Sequence, residues 1–303
     1  IRTRIQKFTD FRSRNFVFSS KKMNEYTSQE ELVEEFDKFD IIIVGSDQVW
    51  NVENDGFTPV YYLPFKLKAR KITYAASIGV SQVEKLKEYS VYMDDFFLLS
   101  TREEKAKKIL EECTHKTVDV VLDPTLFVDS DFYDTLLKGY KCEYLAVKEK
   151  YMLAVFYGRK NLSKFRKSAE KLAQKFSLPL KIINVNFGAA AYASNLINDA
   201  GPLDFLSLIK NAECVCTNSF HNMAFALIYD RPFYVFEDNA LDVRKVGILK
   251  TLKLQDRIVY GDDISSITKL DCDFKENKLI LDHLKLQSFA FLDQIDRLGS
   301  IQI

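Results

Sequence analysis

Short apolar runs alternate along this chain with longer stretches whose apolar positions recur at helical spacing. The runs predict strands at Asp40–Val44, Lys71–Ala76, Phe96–Ser100, Asp119–Leu122, Tyr151–Tyr157, Lys181–Val185, Glu213–Thr217 and Pro232–Phe236. Between many of them the spacing predicts helices over Arg102–Glu112, Leu162–Phe176, Pro202–Asn211, Phe220–Tyr229 and Val246–Lys253, and a last amphipathic helix from about Glu276 to Leu298. Such alternation predicts an α/β fold of parallel strands covered by helices. The stretch Lys138–Lys150 is polar and poorly periodic, and it reads as a link between two α/β halves. The expected domains are therefore residues 1–148 and 149–303. No internal repeat, heptad run or low-complexity tract interrupts the pattern.

The sharpest transition in the pattern lies at Asp40-Ile-Ile-Ile-Val-Gly-Ser-Asp-Gln-Val-Trp-Asn51. Ile41–Val44 reads as a buried parallel strand. Gly45 permits a tight turn at its carboxyl end, where open α/β sheets place their ligands. Asp47 and Gln48 then project polar groups into a crevice, unless Asp47 is simply a helix N-cap. Two helix starts are also marked. Ser100-Thr-Arg-Glu103 has the spacing of a capping box, which puts Arg102 in a first helical turn. Cys216-Thr-Asn-Ser-Phe-His-Asn-Met223 follows a strand; Asn218 or Ser219 can cap the helix, with His221 in its first turn.

Composition narrows the classes of function. Lys plus Arg equals Asp plus Glu at 43 each, so no global field draws the chain to nucleic acid. The five cysteines are scattered, with no C-x-x-C pair, and read as small buried hydrophobes rather than metal ligands or disulfides. The three histidines are dispersed too, so no metal is expected. No apolar run approaches the ~20 residues that span a bilayer.

The candidate chemistry is that of anion binding. A helix amino terminus presents unpaired N–H groups and a partial positive charge, and accepts phosphate or carboxylate. His221 adds a donor that can deliver a proton near neutral pH, and Ser219 a hydroxyl; a plain capped helix with a satisfied histidine has the same sequence. Arg102 can clamp a carboxylate or phosphate in bidentate fashion, or pair with a nearby carboxylate. Ser77 and Gly79 mark a further turn at a strand end, and Asp123-Pro124 another. Arg244 and Arg257 face either an anion or solvent.

At these residues the chain resembles the polysaccharide pyruvyl transferase family. The matching segments are Gly45-Ser-Asp-Gln-Val-Trp-Asn51, Tyr74-Ala-Ala-Ser-Ile-Gly79, Ser100-Thr-Arg-Glu103, Asp123-Pro-Thr125 and Thr217-Asn-Ser-Phe-His221, in the family's order. Lys7-Phe-Thr-Asp-Phe11 and Asn211-Ala-Glu213 are looser matches. The resemblance implies two Rossmann-like domains facing a cleft, as in the glycosyltransferase-B architecture. It implies transfer of pyruvate from phosphoenolpyruvate onto two hydroxyls of a sugar as a ketal, without a cofactor. By position, His221 and Arg102 match the residues that handle phosphoenolpyruvate, and Arg244 is a weaker match. Asp47 is assigned the acceptor hydroxyl. Ser219, Asn218, Ser46, Gln48 and Ser77 are assigned to substrate binding.

Two departures stand out. The family often has Gly where this chain has Asn222, a side chain that either narrows the approach to the helix terminus or adds a contact. Nothing before Ile5 resembles the family's opening strand and Gly/Asn-rich turn, so the first βα unit is expected to be absent and the acceptor side weakened. The expected partners are phosphoenolpyruvate and a sugar or lipid-linked saccharide of exopolysaccharide or cell-envelope synthesis. The expected setting is the cytoplasm, with peripheral association at the inner membrane face. Two rival readings stand beside this one: a nucleotide-sugar-dependent glycosyltransferase of the same fold, and an inactive carbohydrate-binding subunit.

Overall fold

The computed structural model describes residues 2–19, 21, 23, 27–79, 83–146, 149–158, 161–185, 195–237 and 243–299. Helices α1 (Arg2–Asn15) and α2 (Gln29–Phe36) precede strands β1 (Ile41–Val44) and β2 (Arg70–Thr73). Short helices α3 (Val83–Lys87) and α4 (Ser90–Met93) lead to β3 (Leu99–Thr101), α5 (Glu104–Cys113), β4 (Val118–Val120) and α6 (Ser130–Leu137). Then come β5 (Met152–Val155), α7 (Leu162–Lys175), β6 (Leu180–Ile183), β7 (Leu196–Ile197), α8 (Pro202–Lys210), β8 (Cys214–Thr217) and α9 (Phe220–Ile228). The chain closes with β9 (Phe233–Glu237), α10 (Val243–Thr251), β10 (Ile258–Tyr260) and α11 (Lys275–Gly299). Every strand pairing among the described residues is parallel, so the α/β class expected from the alternation is the class observed.

Contacts group the chain into two compact units that interleave in sequence. One holds residues 18–127, 241–248 and 279–303; the other holds 1–17, 128–240 and 249–278. Residues 128–148, expected on the amino-terminal side, thus group with β5–β10. The polar stretch after Lys138 is tied down rather than loose. Tyr140 donates its hydroxyl to Asp204 at 2.7 Å and Tyr144 donates to Asp199 at 2.6 Å. Such long-range partners leave no periodic trace in sequence.

In the β1–β4 unit, β1 pairs with β2 and β3 with β4, and the bridge Ile72–Leu98 joins the two pairs. Side chains reinforce that seam. The Ser100 N–H donates to Thr73 Oγ1 at 2.6 Å, and Ser100 Oγ donates to the Thr73 carbonyl at 2.8 Å. Ser100 therefore belongs to a strand, and the expected capping box does not form: α5 starts at Glu104 with Glu103 as its N-cap and no capping bond from a side chain. Nor is β1 buried as expected. Among the described residues it pairs with β2 alone, and Ile43 is 49% exposed. The core of this unit centres on Trp50, fully buried, stacked on Tyr62 at 4.9 Å and edge-on to Phe96 at 5.5 Å. Its indole N–H donates to the Tyr61 carbonyl at 2.9 Å. The only tryptophan is thus an anchor that fixes the turn before it.

In the other unit six strands lie in the order β10-β9-β8-β5-β6-β7. All four residues of β5 and of β8 are buried, as expected of central parallel strands covered on both faces. Cys214 and Cys216 lie one pleat apart on β8, and Cys216 Sγ approaches Met152 Sδ at 3.6 Å. All five cysteines are free thiols. The chain runs outward from β5 through β6 to β7, then returns to the other side of β5 as β8. The carboxyl ends of β5 and β8 therefore form a topological switch point, where an open sheet leaves a crevice.

Candidate functional site

The switch point carries the His221 segment. Strand β8 ends at Thr217, and α9 begins at Phe220 with Ser219 as an extended N-cap whose hydroxyl makes no capping bond. His221 is half-buried in the first turn, its ring edge-on to Phe220 at 5.3 Å. Asn218 does not cap the helix either. Its amide reaches the segment just after β5, accepting from the Tyr157 N–H at 2.8 Å and donating to the Tyr157 carbonyl at 2.9 Å. This pairing fixes the two strand ends relative to each other. Asn222, the departure from the family pattern, is buried. It donates to Thr217 Oγ1 at 3.0 Å and to the Val155 carbonyl at 3.4 Å. It therefore points into the sheet, adds a contact there, and leaves the approach to the helix terminus open.

The second constellation surrounds Arg102 in the β1–β4 unit. Its guanidinium side chain is 3% exposed and meets three carboxylates: Asp123 at 2.6 Å, Asp47 at 3.0 Å and Glu103 at 3.1 Å. Arg102 lies in the connection after β3, not in a first helical turn, and is a buried hub rather than a surface cation. Asp123 and Glu103 are buried with it, whereas the Asp47 side chain is 58% exposed. Ser46 donates to Asp123 at 2.9 Å, and the Thr125 N–H donates to its other oxygen at 3.0 Å. Ser77, fully buried, donates to Glu103 at 2.8 Å. Gln48 accepts from Asn51 at 2.8 Å. Ser46, Ser77 and Gln48 thus position the turn and its carboxylates in this state.

The electrostatics follow from burial. Desolvation opposes the Arg102 charge, but Glu103, Asp123 and Asp47 together hold it above its ordinary range. Desolvation pushes the Glu103 carboxyl above the usual carboxylate range in spite of Arg102 and the Ser77 hydroxyl. Gly45 makes the geometry possible. Its φ is +122°, and an added Cβ would collide with the Tyr74 carbonyl oxygen. Asp47 itself has φ +72° and bridges to Ala76, which aims its carboxylate at Arg102.

The remaining cations have other duties. Arg257 is buried and donates to the Leu270 carbonyl at 3.2 Å and the Asp271 carbonyl at 3.0 Å. Lys71 is buried and donates to the carbonyls of Leu63 and Phe65 and to Asp95. Arg244 is the second residue of α10, but its side chain lies outside the described residues. Among the described residues no group of His, Cys, Asp and Glu is placed to hold a metal, and no helix is long and apolar enough to cross a membrane. The sequence marks Asp123 as a turn before Pro124 and as part of a family-like segment, but carries no sign that Asp123 and Glu103 meet Arg102.

Parallel sheets of α/β units, with a helix amino terminus at a switch point, give a glycosyltransferase-B-like α/β fold. Its profile match over residues 2–239 places the chain in the polysaccharide pyruvyl transferase family. The structure is similar to a UDP-GlcNAc 2-epimerase from Methanocaldococcus jannaschii, at 16% identity and TM-score 0.55, covering 93% of this chain and 90% of that one. It is also similar to a UDP-GlcNAc 2-epimerase from Neisseria meningitidis bound to UDP-GlcNAc, at 15% identity and TM-score 0.52, covering 86% and 83%. At such identity the likeness shows the fold alone. No curated protein matches the sequence.

Proposed function

We propose that this protein transfers pyruvate from phosphoenolpyruvate onto two hydroxyls of a sugar, forming a ketal and releasing phosphate. The observation that carries the reading is His221 in the first turn of α9 at the switch point, in a chain of the pyruvyl transferase family. The α9 terminus receives the phosphate, with Ser219 beside it, and His221 delivers a proton to the methylene carbon. The double bond becomes a methyl group, and the neighbouring carbon becomes electrophilic. One sugar hydroxyl adds to that carbon, the bond to the phosphate oxygen breaks, and a second hydroxyl closes the ring. One hydroxyl proton balances the proton given to the methyl group; the other leaves with phosphate.

Arg102 is assigned the donor's carboxylate. Asp123 and Glu103 hold the guanidinium in place, and the substrate carboxylate replaces exposed Asp47 on Nη2. Asp47, released, is then available to orient or deprotonate an acceptor hydroxyl. Arg244 supports the donor, and Asn218, Ser46, Gln48 and Ser77 shape the binding loops. The acceptor is a sugar or lipid-linked saccharide of envelope polysaccharide synthesis, and the reaction takes place in the cytoplasm or at the membrane's inner face.

A second reading, nucleotide-sugar-dependent glycosyl transfer, draws on the bound UDP-GlcNAc of the Neisseria meningitidis relative in fold. Phosphate release separates the two. Incubation with phosphoenolpyruvate should release inorganic phosphate only when a sugar acceptor is added. Absence of release, together with sugar-dependent cleavage of a UDP-sugar, would replace the first reading with the second.

A further inference from the structure

Three helices of the β5–β10 unit meet without filling the space between them. Gly201, the N-cap of α8, lets α1 lie close, since an added Cβ would meet Lys7 Cβ at 2.5 Å. Beside that contact α1, the end of α6 and the start of α8 leave a cavity of about 300 Å³, at the small end of the range for ligand pockets. Positions 7, 10, 11, 14 and 15 of α1 line it, the spacing of one helix face. The whole lining belongs to this one unit.

The lining divides by chemistry. Phe11, Leu136 and Pro202 are half-buried and supply its apolar part. Lys7 has no charge to spare, because Glu143 and Asp204 already hold it at 2.7 and 2.8 Å. Tyr140 donates its proton to Asp204 at 2.7 Å, so its oxygen has lone pairs left to offer. The Asp204 side chain is fully buried and fixes both of these residues before any ligand arrives. Asp10 accepts from Gln6 at 2.7 Å, although Arg14 stands four residues further on, at the spacing of a helix ion pair. Arg14 is exposed, and among the described residues it pairs with no carboxylate. The cavity therefore offers one guanidinium, the acceptor oxygens of Asp10 and Tyr140, and apolar carbon.

These groups select a ligand between them. The guanidinium matches a carboxylate or phosphate. Asp10 repels a bare or doubly charged anion and requires hydroxyl donors. The apolar side chains suit the C–H face of a sugar ring. We propose that this cavity binds a sugar residue that carries a carboxylate, with Arg14 on the carboxylate and Asp10 and Tyr140 accepting from the hydroxyls. Such a residue is either a uronic acid of the acceptor chain or a sugar that already bears a pyruvate ketal. Its service to the acceptor rests on the pyruvyl transfer proposed above; its binding does not.

The test titrates methyl glucuronide, a methyl glucoside bearing a pyruvate ketal, and plain methyl glucoside calorimetrically into the full chain. Arg14→Gln and Leu203→Trp are titrated alongside. At least one of the two acids should bind wild type about tenfold or more tightly than the plain glucoside does. Which acid binds separates the chain unit from the finished product. Arg14→Gln should reduce the acid to the level of the glucoside. Leu203→Trp, which fills the cavity, should remove binding of every sugar. No acid binding at tens of millimolar would overturn the proposal. So would equal affinity in wild type and Arg14→Gln, which would leave Arg14 as a cation at a helix carboxyl terminus. Arg14→Gln should melt with wild type; a variant that melts far below it would make Arg14 structural and defeat the proposal. Phosphate release from phosphoenolpyruvate, measured on the same proteins, keeps the two readings apart. Release without acid binding sinks the cavity alone, and acid binding without release sinks the transfer alone.

Discussion

Arg102 and Arg166 are both held at carboxyl edges of parallel sheets, yet their surroundings are opposite. Arg102 is enclosed by Asp123, Glu103 and Asp47, and an anion must displace a carboxylate to reach it. Arg166 donates to the neutral Asn184 at 3.2 Å, and among the described residues no carboxylate pairs with it. A compensated arginine organises a loop in the free protein and becomes a ligand group only by exchange. One held by a neutral amide keeps a buried donor without a partner, at a cost in stability. Residue type alone does not separate the two cases; the neighbours do.

The largest expected effect tests the compensated corner. Asp123→Ala removes the carboxylate closest to Arg102 and leaves the charge buried, which should cost about 3–5 kcal/mol. Urea denaturation of the two proteins measures it. A loss under 1 kcal/mol would mean that Glu103 and Asp47 suffice and that Asp123 is redundant.

Next comes the switch point. His221→Ala should lower turnover on the order of 10²-fold or more, equivalent to about 2.7 kcal/mol of barrier. The stability of the variant should change little, since Asn218 and Asn222 tie the start of α9 to the sheet. Full turnover in a folded variant would remove the histidine from the mechanism.

The unit that holds Arg166 also holds Lys7, whose pairing provides a pH control. Burial opposes the Lys7 charge, but Asp204, Glu143 and Tyr144 raise it above the ordinary lysine range. Burial likewise opposes the Asp204 charge, and Lys7, the Gly201 N–H and Tyr140 bring it below the ordinary carboxylate range. The Asp204 contribution is therefore present above its unfolded pKa and lost as pH falls through the lower folded value. The Lys7 contribution is present below its unfolded pKa and lost as pH rises through the higher folded value. Lys7→Met should cost about 1–3 kcal/mol between these limits. The difference from wild type should shrink below about pH 4, where an unfolded Asp binds its proton. A difference that stays constant down to pH 2 would show that packing of the lysine stem, not its charge, supports α1. Gly201 fixes that packing, since an added Cβ would meet Lys7 Cβ at 2.5 Å.

Arg102→Lys sharpens the comparison from the ligand side. An ammonium cannot face three carboxylates along fixed directions or offer a bidentate edge. The lysine variant should bind phosphoenolpyruvate about tenfold more weakly, no better than Arg102→Ala, equivalent to about 1.4 kcal/mol. Binding equal to wild type in the lysine variant would reduce Arg102 to a point charge.

The fold was legible where one strand's own residues decide it. Cys214–Thr217 and Met152–Val155 are buried on both faces, so an apolar run announces them. Helix α1 left no such signal, because its inner face is held by Lys7 against Asp204 rather than by an apolar stripe. Ser100-Thr-Arg-Glu103 imitated a capping box because Ser100 and Thr101 hydroxyls also serve a sheet seam and a buried glutamate. The His221 helix start was legible, since strand, turn and helix are consecutive. The company of Arg102 was not: Asp123 is 21 residues away and Asp47 is 55. The Arg4–Asn184 contact spans 180 residues, beyond any local pattern.

The smallest effect on stability is expected at Asp47, and it decides how Arg102 meets a ligand. Asp47 is mostly exposed, so its ion pair is worth about 0–1 kcal/mol, and Asp47→Asn should melt near wild type. Its effect on binding should run the other way. If the donor carboxylate takes the place of Asp47 on Nη2, an uncharged amide there competes less, and phosphoenolpyruvate should bind a few times more tightly. Turnover should nevertheless fall, because the group that orients or deprotonates the acceptor hydroxyl is gone. Tighter donor binding with slower turnover is the signature of an exposed carboxylate that leaves the arginine and serves the acceptor. Weaker donor binding would instead show that Asp47 must stay on Arg102 to hold it in place, and the exchange would be discarded.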